Sequence, residues 1–159
     1  MYAGQIPVNL LGTSTHRWAE IATCCGPHPR ISVSPIRVLL AGDHSRLRTS
    51  LRTVLEMDPQ IRVVGEAADE CETVKLAKRL RPDVVLLDLE MRACDCYDSV
   101  AEITRYNLAT SVIGLTIHDG IAERNAAEKA GVGEFLEKGI PSKQLIDAVH
   151  RAATKNARG

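Results

Sequence analysis

Four short segments of the chain each end an apolar run on a side chain able to do polar chemistry. LLAGDH carries Asp43, VVLLDLEM carries Asp88, VIGLTIHD carries Thr116 and EFLEKG carries Lys138. A fifth run, VVGEA, holds Glu66, a less distinctive residue. Carboxylates accept hydrogen bonds, act as nucleophiles and hold hard cations, an ammonium neutralises anions, and a hydroxyl both donates and accepts. An aspartate directly after an apolar strand is costly to desolvate without a purpose. Taken singly, each of these residues is most simply a helix cap or a surface charge. Their recurrence at the ends of several runs points to one site, provided the elements bring those ends together.

Apolar, β-branched runs lie at Ile36–Ala41, Ile61–Gly65, Val84–Leu87, Val112–Thr116 and Gly133–Leu136. They lack strict polar alternation, as strands buried on both faces of a parallel sheet do. Helical patterns separate them. Leu47, Leu51, Val54 and Leu55 share one face of the first, and Val74, Ala77 and Leu80 mark the second, which should stop before Pro82. Val100 and Ile103 mark the third. Ile121, Ala122 and Ala130 lie in the fourth, with Gly131 as its C-terminal cap, and Leu145, Ile146, Val149 and Ala153 line the fifth. Alternating strands and helices with short loops imply a doubly wound α/β domain. Ligands of such sheets bind beyond the carboxyl ends of the strands. With strand order 2-1-3-4-5, the runs ending at Asp43, Asp88, Thr116 and Lys138 are neighbours, and two carboxylates, a hydroxyl and an ammonium converge.

Residues 1–35 are rich in Gly, Pro, Ser and Thr, keep no period and hold the only tryptophan, Trp18, in a short helical stretch around His16 to Thr23. They read as an N-terminal extension, either mobile or the product of a misplaced start, with Val33 as the natural beginning. The folded domain spans 36–154, and 155–159 form a short tail. Aromatic residues make up 3% of the 159, so the core must be aliphatic and base-stacking surfaces are scarce. Twenty basic residues balance twenty acidic ones, leaving no electrostatic footprint for nucleic acid. The five cysteines are an odd number without a CxxC pair, which fits reduced thiols better than a secreted disulfide framework. No apolar run spans a bilayer and no basic-then-apolar leader opens the chain, so a cytoplasmic location is expected.

From Ile36 to Ala153, LLAGDHSRLR, VVGEA, RPDVVLLDLEM, VIGLTIHD and AGVGEFLEKG together resemble a response-regulator receiver domain of two-component signalling. The resemblance is strongest to receivers of the LuxR/NarL type, which usually carry a C-terminal helix-turn-helix. It implies a five-stranded parallel (βα)5 flavodoxin-like, CheY-like fold of strand order 2-1-3-4-5. It also implies a phosphoacceptor at Asp88, charged by a histidine kinase or phosphotransfer protein. Mg²⁺ would be held by Asp43, Asp88 and the main-chain carbonyl of Glu90. Lys138 would neutralise phosphoryl oxygens. Thr116 and Phe135 would form the switch that alters the surface around the fourth helix, fifth strand and fifth helix for a downstream protein. The implied domain signals rather than acting as an independent enzyme, and no Gly-rich phosphate loop, catalytic triad or zinc signature suggests otherwise.

Four departures from the family pattern stand out. Gly42 occupies the first of two usual acidic positions, so Mg²⁺ should bind more weakly, unless the Glu90 side chain turns toward the metal. Ile117 replaces a small residue after Thr116 and should narrow access to Asp88. Arg92 replaces a common proline and Cys96 a common glycine, so the loop MRACDCYD should differ in shape. These changes keep two alternatives open: a receiver fold that binds partners without phosphorylation, and a partner for a DNA-binding response regulator. Any homodimer through the fourth and fifth helices is expected to be weak. Cys94 and Cys96 read as ordinary loop thiols, His44 as a helix-start residue, and His118 as a side chain placed to tune phosphoryl lifetime.

Overall fold

The computed structural model describes residues 34–91, 96–106, 110–117 and 120–156. The readings for residues 1–33, for Arg92 and Cys94, and for His118 lie outside the described residues. Five strands, β1 (Ile36–Ala41), β2 (Ile61–Ala67), β3 (Val84–Asp88), β4 (Ser111–Thr116) and β5 (Val132–Glu137), alternate with five helices. The helices are α1 (Ser45–Leu55), α2 (Glu70–Leu80), α3 (Cys96–Tyr106), α4 (Ile121–Ala130) and α5 (Ser142–Asn156). All strand pairs are parallel, in the order β2-β1-β3-β4-β5. This is the expected doubly wound, CheY-like architecture.

The residues dictate the layers. Side chains alternate across a strand, so β3 sends Val84 and Leu86 to one face and Val85 and Leu87 to the other. On the first face, Val38, Leu40, Ile113 and Leu115 join them under Leu55 of α1 and Leu145, Ala148, Val149 and Ala152 of α5. On the second, Leu39 and Val112 pack under Val74 and Ala77 of α2, Val100 and Ile103 of α3, and Ala127 of α4. A strand covered on both sides has no polar face, which is why the alternation was missing from the sequence.

Local signals set the boundaries. The Asp69 carboxylate caps α2 by accepting from the Glu72 N–H at 2.8 Å, and the Glu72 side chain accepts from the Ala68 N–H at 2.8 Å. The helix ends on Arg81, in the left-handed region at φ 47°, one residue before Pro82 as expected. Gly131 ends α4 at φ 113°, and a Cβ there would sit 2.8 Å from Thr104 Cγ2, so glycine is required twice over. Three strands run further than their apolar pattern, β2 among them, which continues through Glu66 to Ala67. Asp88 stays in register opposite Leu115, and β5 continues to Glu137. The ladder is made by backbone groups, which do not stop at a polar side chain.

One long-range polar tie closes the α1/α5 side. Asp58, in the turn after α1, lies 2.9 Å from His150 Nε2 on α5. That hydrogen bond, with one from the Gln60 N–H, holds the Asp58 carboxyl below its ordinary 3.8. A depressed carboxyl stabilises the fold above its unfolded value, and that contribution is lost as pH falls through the lower folded value. Asp58→Asn should therefore flatten the acid limb of the stability curve below pH 3.8, read as urea midpoint against pH. An unchanged acid limb would assign the tie no role. Among the described residues, no helix is long and apolar enough to cross a membrane.

Candidate functional site

The carboxyl ends of β1, β3, β4 and β5 lie side by side, and backbone bonds beyond the strands fix them. Leu89 N–H donates to Leu115 O at 2.9 Å, Lys138 N–H to Thr116 O at 2.8 Å, and Gly42 N–H to Ala67 O at 3.1 Å. Asp88 closes β3 with a side chain only 1% exposed. Its Oδ1 lies 2.7 Å from Lys138 Nζ and accepts the Glu90 N–H at 2.9 Å. Its Oδ2 is buried and has no hydrogen-bond partner. A buried carboxylate oxygen left so is expensive, and such exceptions mark sites completed by something else.

Lys138 is shared between Asp88 and the Glu90 carboxylate, whose Oε2 lies 2.9 Å from Nζ. Burial pushes the lysine pKa down, but hydrogen bonds and charge from Asp88 and Glu90 outweigh it and hold the pKa above the usual 10.5. The ammonium is charged at neutral pH. The other Glu90 oxygen, Oε1, accepts the Ile117 N–H at 2.7 Å. The Glu90 side chain thus points to the lysine and the end of β4, not to the Asp43 side as the sequence reading had allowed. The Ile117 side chain is 57% exposed.

Across the site, one ligand atom each of Asp43, His44 and Asp88 lie within 4.8 Å of one another, a set able to hold a cation. His44 is the N-cap of α1, as expected for a helix-start residue, yet its side chain makes no capping bond. Its Nδ1 lies 2.5 Å from Asp43 Oδ1 instead. The sequence placed His44 beside the site as a helix-start residue but not among the groups around a cation, and the Asp-His pair directly after β1 was the only signal for that. Gly42 lies against Asp88, where a Cβ would stand 3.1 Å from Asp88 Cβ. The Gly42 carbonyl accepts from the Arg48 guanidinium. Glu66 is drawn away from the site into ion pairs with Arg48 and Arg52. Phe135, half-buried on β5, lies under the Arg124 guanidinium, 5.0 Å from its ring centre. The structure therefore brings Asp43, Asp88, Glu90 and Lys138 together, with Thr116 at the adjoining strand end and Phe135 further along the edge strand.

Known proteins share this fold. The response regulator receiver domain family matches residues 38–150. The nitrate/nitrite response regulator NarP of Escherichia coli is 34% identical over 125 residues, covering 79% of this chain and 58% of NarP. The transcriptional regulatory protein LiaR of Bacillus subtilis is 38% identical over 120 residues, covering 76% of this chain and 56% of LiaR. The chain thus spans a little over half the length of these relatives. The receiver domain of a response regulator, NarL, from Mycobacterium tuberculosis superposes with a TM-score of 0.72 at 31% identity, over 76% of this chain and 98% of that one. With its parallel sheet, its buried aspartate at the end of β3 and this match over most of its length, the chain belongs to the response regulator receiver domain family of two-component signalling.

Proposed function

We propose that this chain is a working phosphoacceptor, charged on Asp88 by a phosphohistidine of a histidine kinase or phosphotransfer protein in the cytoplasm. The observation that carries this reading is the Asp88 carboxylate, with Oδ1 on a charged lysine and Oδ2 buried and unpartnered. A carboxylate oxygen attacks phosphorus, the O–P bond forms as the N–P bond breaks, and the departing imidazole keeps the electron pair and later takes a proton. The Lys138 ammonium offsets the negative charge of the transferred group. The Asp43 and Asp88 carboxylates suit a hard cation such as Mg²⁺, and His44 stands within reach as a third group. When bound there, the cation would supply charge neutralisation to the transferring phosphoryl oxygens. Thr116, whose carbonyl is bonded to Lys138, then draws its loop toward the new anion, and Phe135 follows. The face of α4, β5 and α5 changes for a downstream protein.

The test is the intact mass of the chain after incubation with acetyl phosphate and Mg²⁺. One phosphoryl adduct, lost when Mg²⁺ is chelated, is the expected result. No adduct from either acetyl phosphate or a phosphohistidine donor would reject this reading in favour of phosphorylation-independent binding.

Gly42 gives a second expected outcome. Gly42→Asp adds a carboxylate beside Asp88, and two like charges ~4 Å apart cost about 1–4 kcal/mol between water and an intermediate dielectric. Asp88 must also yield a few tenths of an ångström to the new Cβ. The variant should melt lower than the native chain without metal, bind Mg²⁺ about tenfold or more tightly, and gain more from saturating Mg²⁺. Equal Mg²⁺ affinities would mean that position 42 does not face the cation site.

A further inference from the structure

We propose that the Glu90 carboxylate is a tethered occupant of the seat that phosphoryl oxygens need, and that it sets how readily Asp88 is charged. This rests on the reading of Asp88 as the phosphoacceptor. The seat is defined by two donors. Ile117 N–H lies just past the end of β4 and donates to Glu90 Oε1 at 2.7 Å. Lys138 Nζ donates to Glu90 Oε2 at 2.9 Å while lying 2.7 Å from Asp88 Oδ1. One ammonium thus touches both the acceptor and the carboxylate of Glu90. A backbone N–H and an ammonium converging on a carboxylate form an anion site, and a phosphoryl group uses the same donors.

The occupant cannot drift away. The Glu90 main chain is fixed by its own N–H on Asp88 Oδ1, so the carboxylate competes from a short arm at a high effective concentration. A phosphoryl group built on Asp88 brings three further oxygens and additional negative charge. The ammonium on Asp88 and the Ile117 N–H are already held by an anion, which also repels the newcomer. Charging Asp88 therefore requires Glu90 to swing out, and a side chain 31% exposed has solvent to swing into. The sequence alone left the Glu90 side chain free to turn toward the metal. The geometry assigns it to the side of the transferred group, as a positioning residue with an opposing effect.

Glu90→Gln and Glu90→Ala test this in the full chain. Both leave Lys138 paired with Asp88, so the fold is retained. With saturating Mg²⁺, both variants should take up phosphoryl from acetyl phosphate about tenfold faster than the native chain, the order that one charge-assisted hydrogen bond commands. A second readout involves no covalent step. Titration with inorganic phosphate should shift the Ile117 amide resonance saturably in Glu90→Ala, at a concentration about tenfold below any response of the native chain. Native labelling with variants no faster would overturn the proposal, as would equal responses of Ile117 to phosphate in all three proteins. If no protein is labelled, the phosphoacceptor reading fails, and the phosphate titration still decides whether Glu90 fills the seat.

Discussion

Asp88→Asn should abolish the phosphoryl adduct expected of the native chain and leave the domain folded. The amide is a far poorer nucleophile than the carboxylate, and the side chain loses the charge it brings to the cation group with Asp43 and His44. Stability survives because the substitution does not orphan the lysine. Lys138 keeps Glu90 as a charged partner at 2.9 Å. Breaking a buried pair is severe when it leaves an uncompensated charge, and here it does not. The expected change in unfolding free energy is within about 1–2 kcal/mol, and Mg²⁺ should stabilise the variant less than the native chain. Intact mass after Mg²⁺ and acetyl phosphate, beside thermal melts with and without Mg²⁺, checks both halves. An adduct of native stoichiometry in the variant would move the acceptor elsewhere, with Asp43 the nearest carboxylate in the cation group.

Leu40→Ala should be among the most damaging single changes to stability. Leu40 is 0% exposed in β1, with β2 on one side and β3 on the other. It belongs to the cluster formed with Leu55, Leu86, Leu145 and Val149. Truncation removes the transfer free energy of the side chain and leaves a cavity that a strand held on both edges cannot collapse into. The cost should be about 3–5 kcal/mol. Domains of this kind are stable by only about 5–15 kcal/mol, so a large part of the total is lost. The urea midpoint should fall by roughly 2 M, while Met57→Ala, at a side chain 74% exposed, should move it little. A Leu40→Ala loss below about 1 kcal/mol would mean that this face repacks around the missing atoms.

The fold was legible because its signals are redundant. Five apolar runs separated by helical periods admit few topologies, and Pro82 and Gly131 marked two helix ends that the structure keeps. The ends of β3 and β5 were less legible, since polarity at Asp88 and Glu137 hides a ladder that backbone atoms continue. In the site, Asp43, Asp88 and Lys138 stood out because a charge directly after an apolar strand is conspicuous. The direction of the Glu90 side chain was not readable. It depends on the Ile117 N–H and on Lys138, 27 and 48 residues away, and no local pattern encodes such a choice. His44 next to Asp43 posed the same difficulty, because a residue at a helix start can turn its ring outward or back to its neighbour.

The covering of one sheet face by both α1 and α5 has a consequence for how the chain is made. Val38, Leu40, Ile61, Val84 and Leu86 all belong to the half of the domain that leaves the ribosome first. Leu145, Ala148, Val149 and Ala152, which cover them, come from the last helix, and the Asp58–His150 tie spans 92 residues. At about 5–20 residues per second, the early strands wait several seconds with an apolar face uncovered. Translation pauses between β3 and α5 would lengthen that exposure. Chaperone demand and aggregation during synthesis should therefore depend on how fast the segment from β3 to α5 is translated more than on the speed of the segment before it.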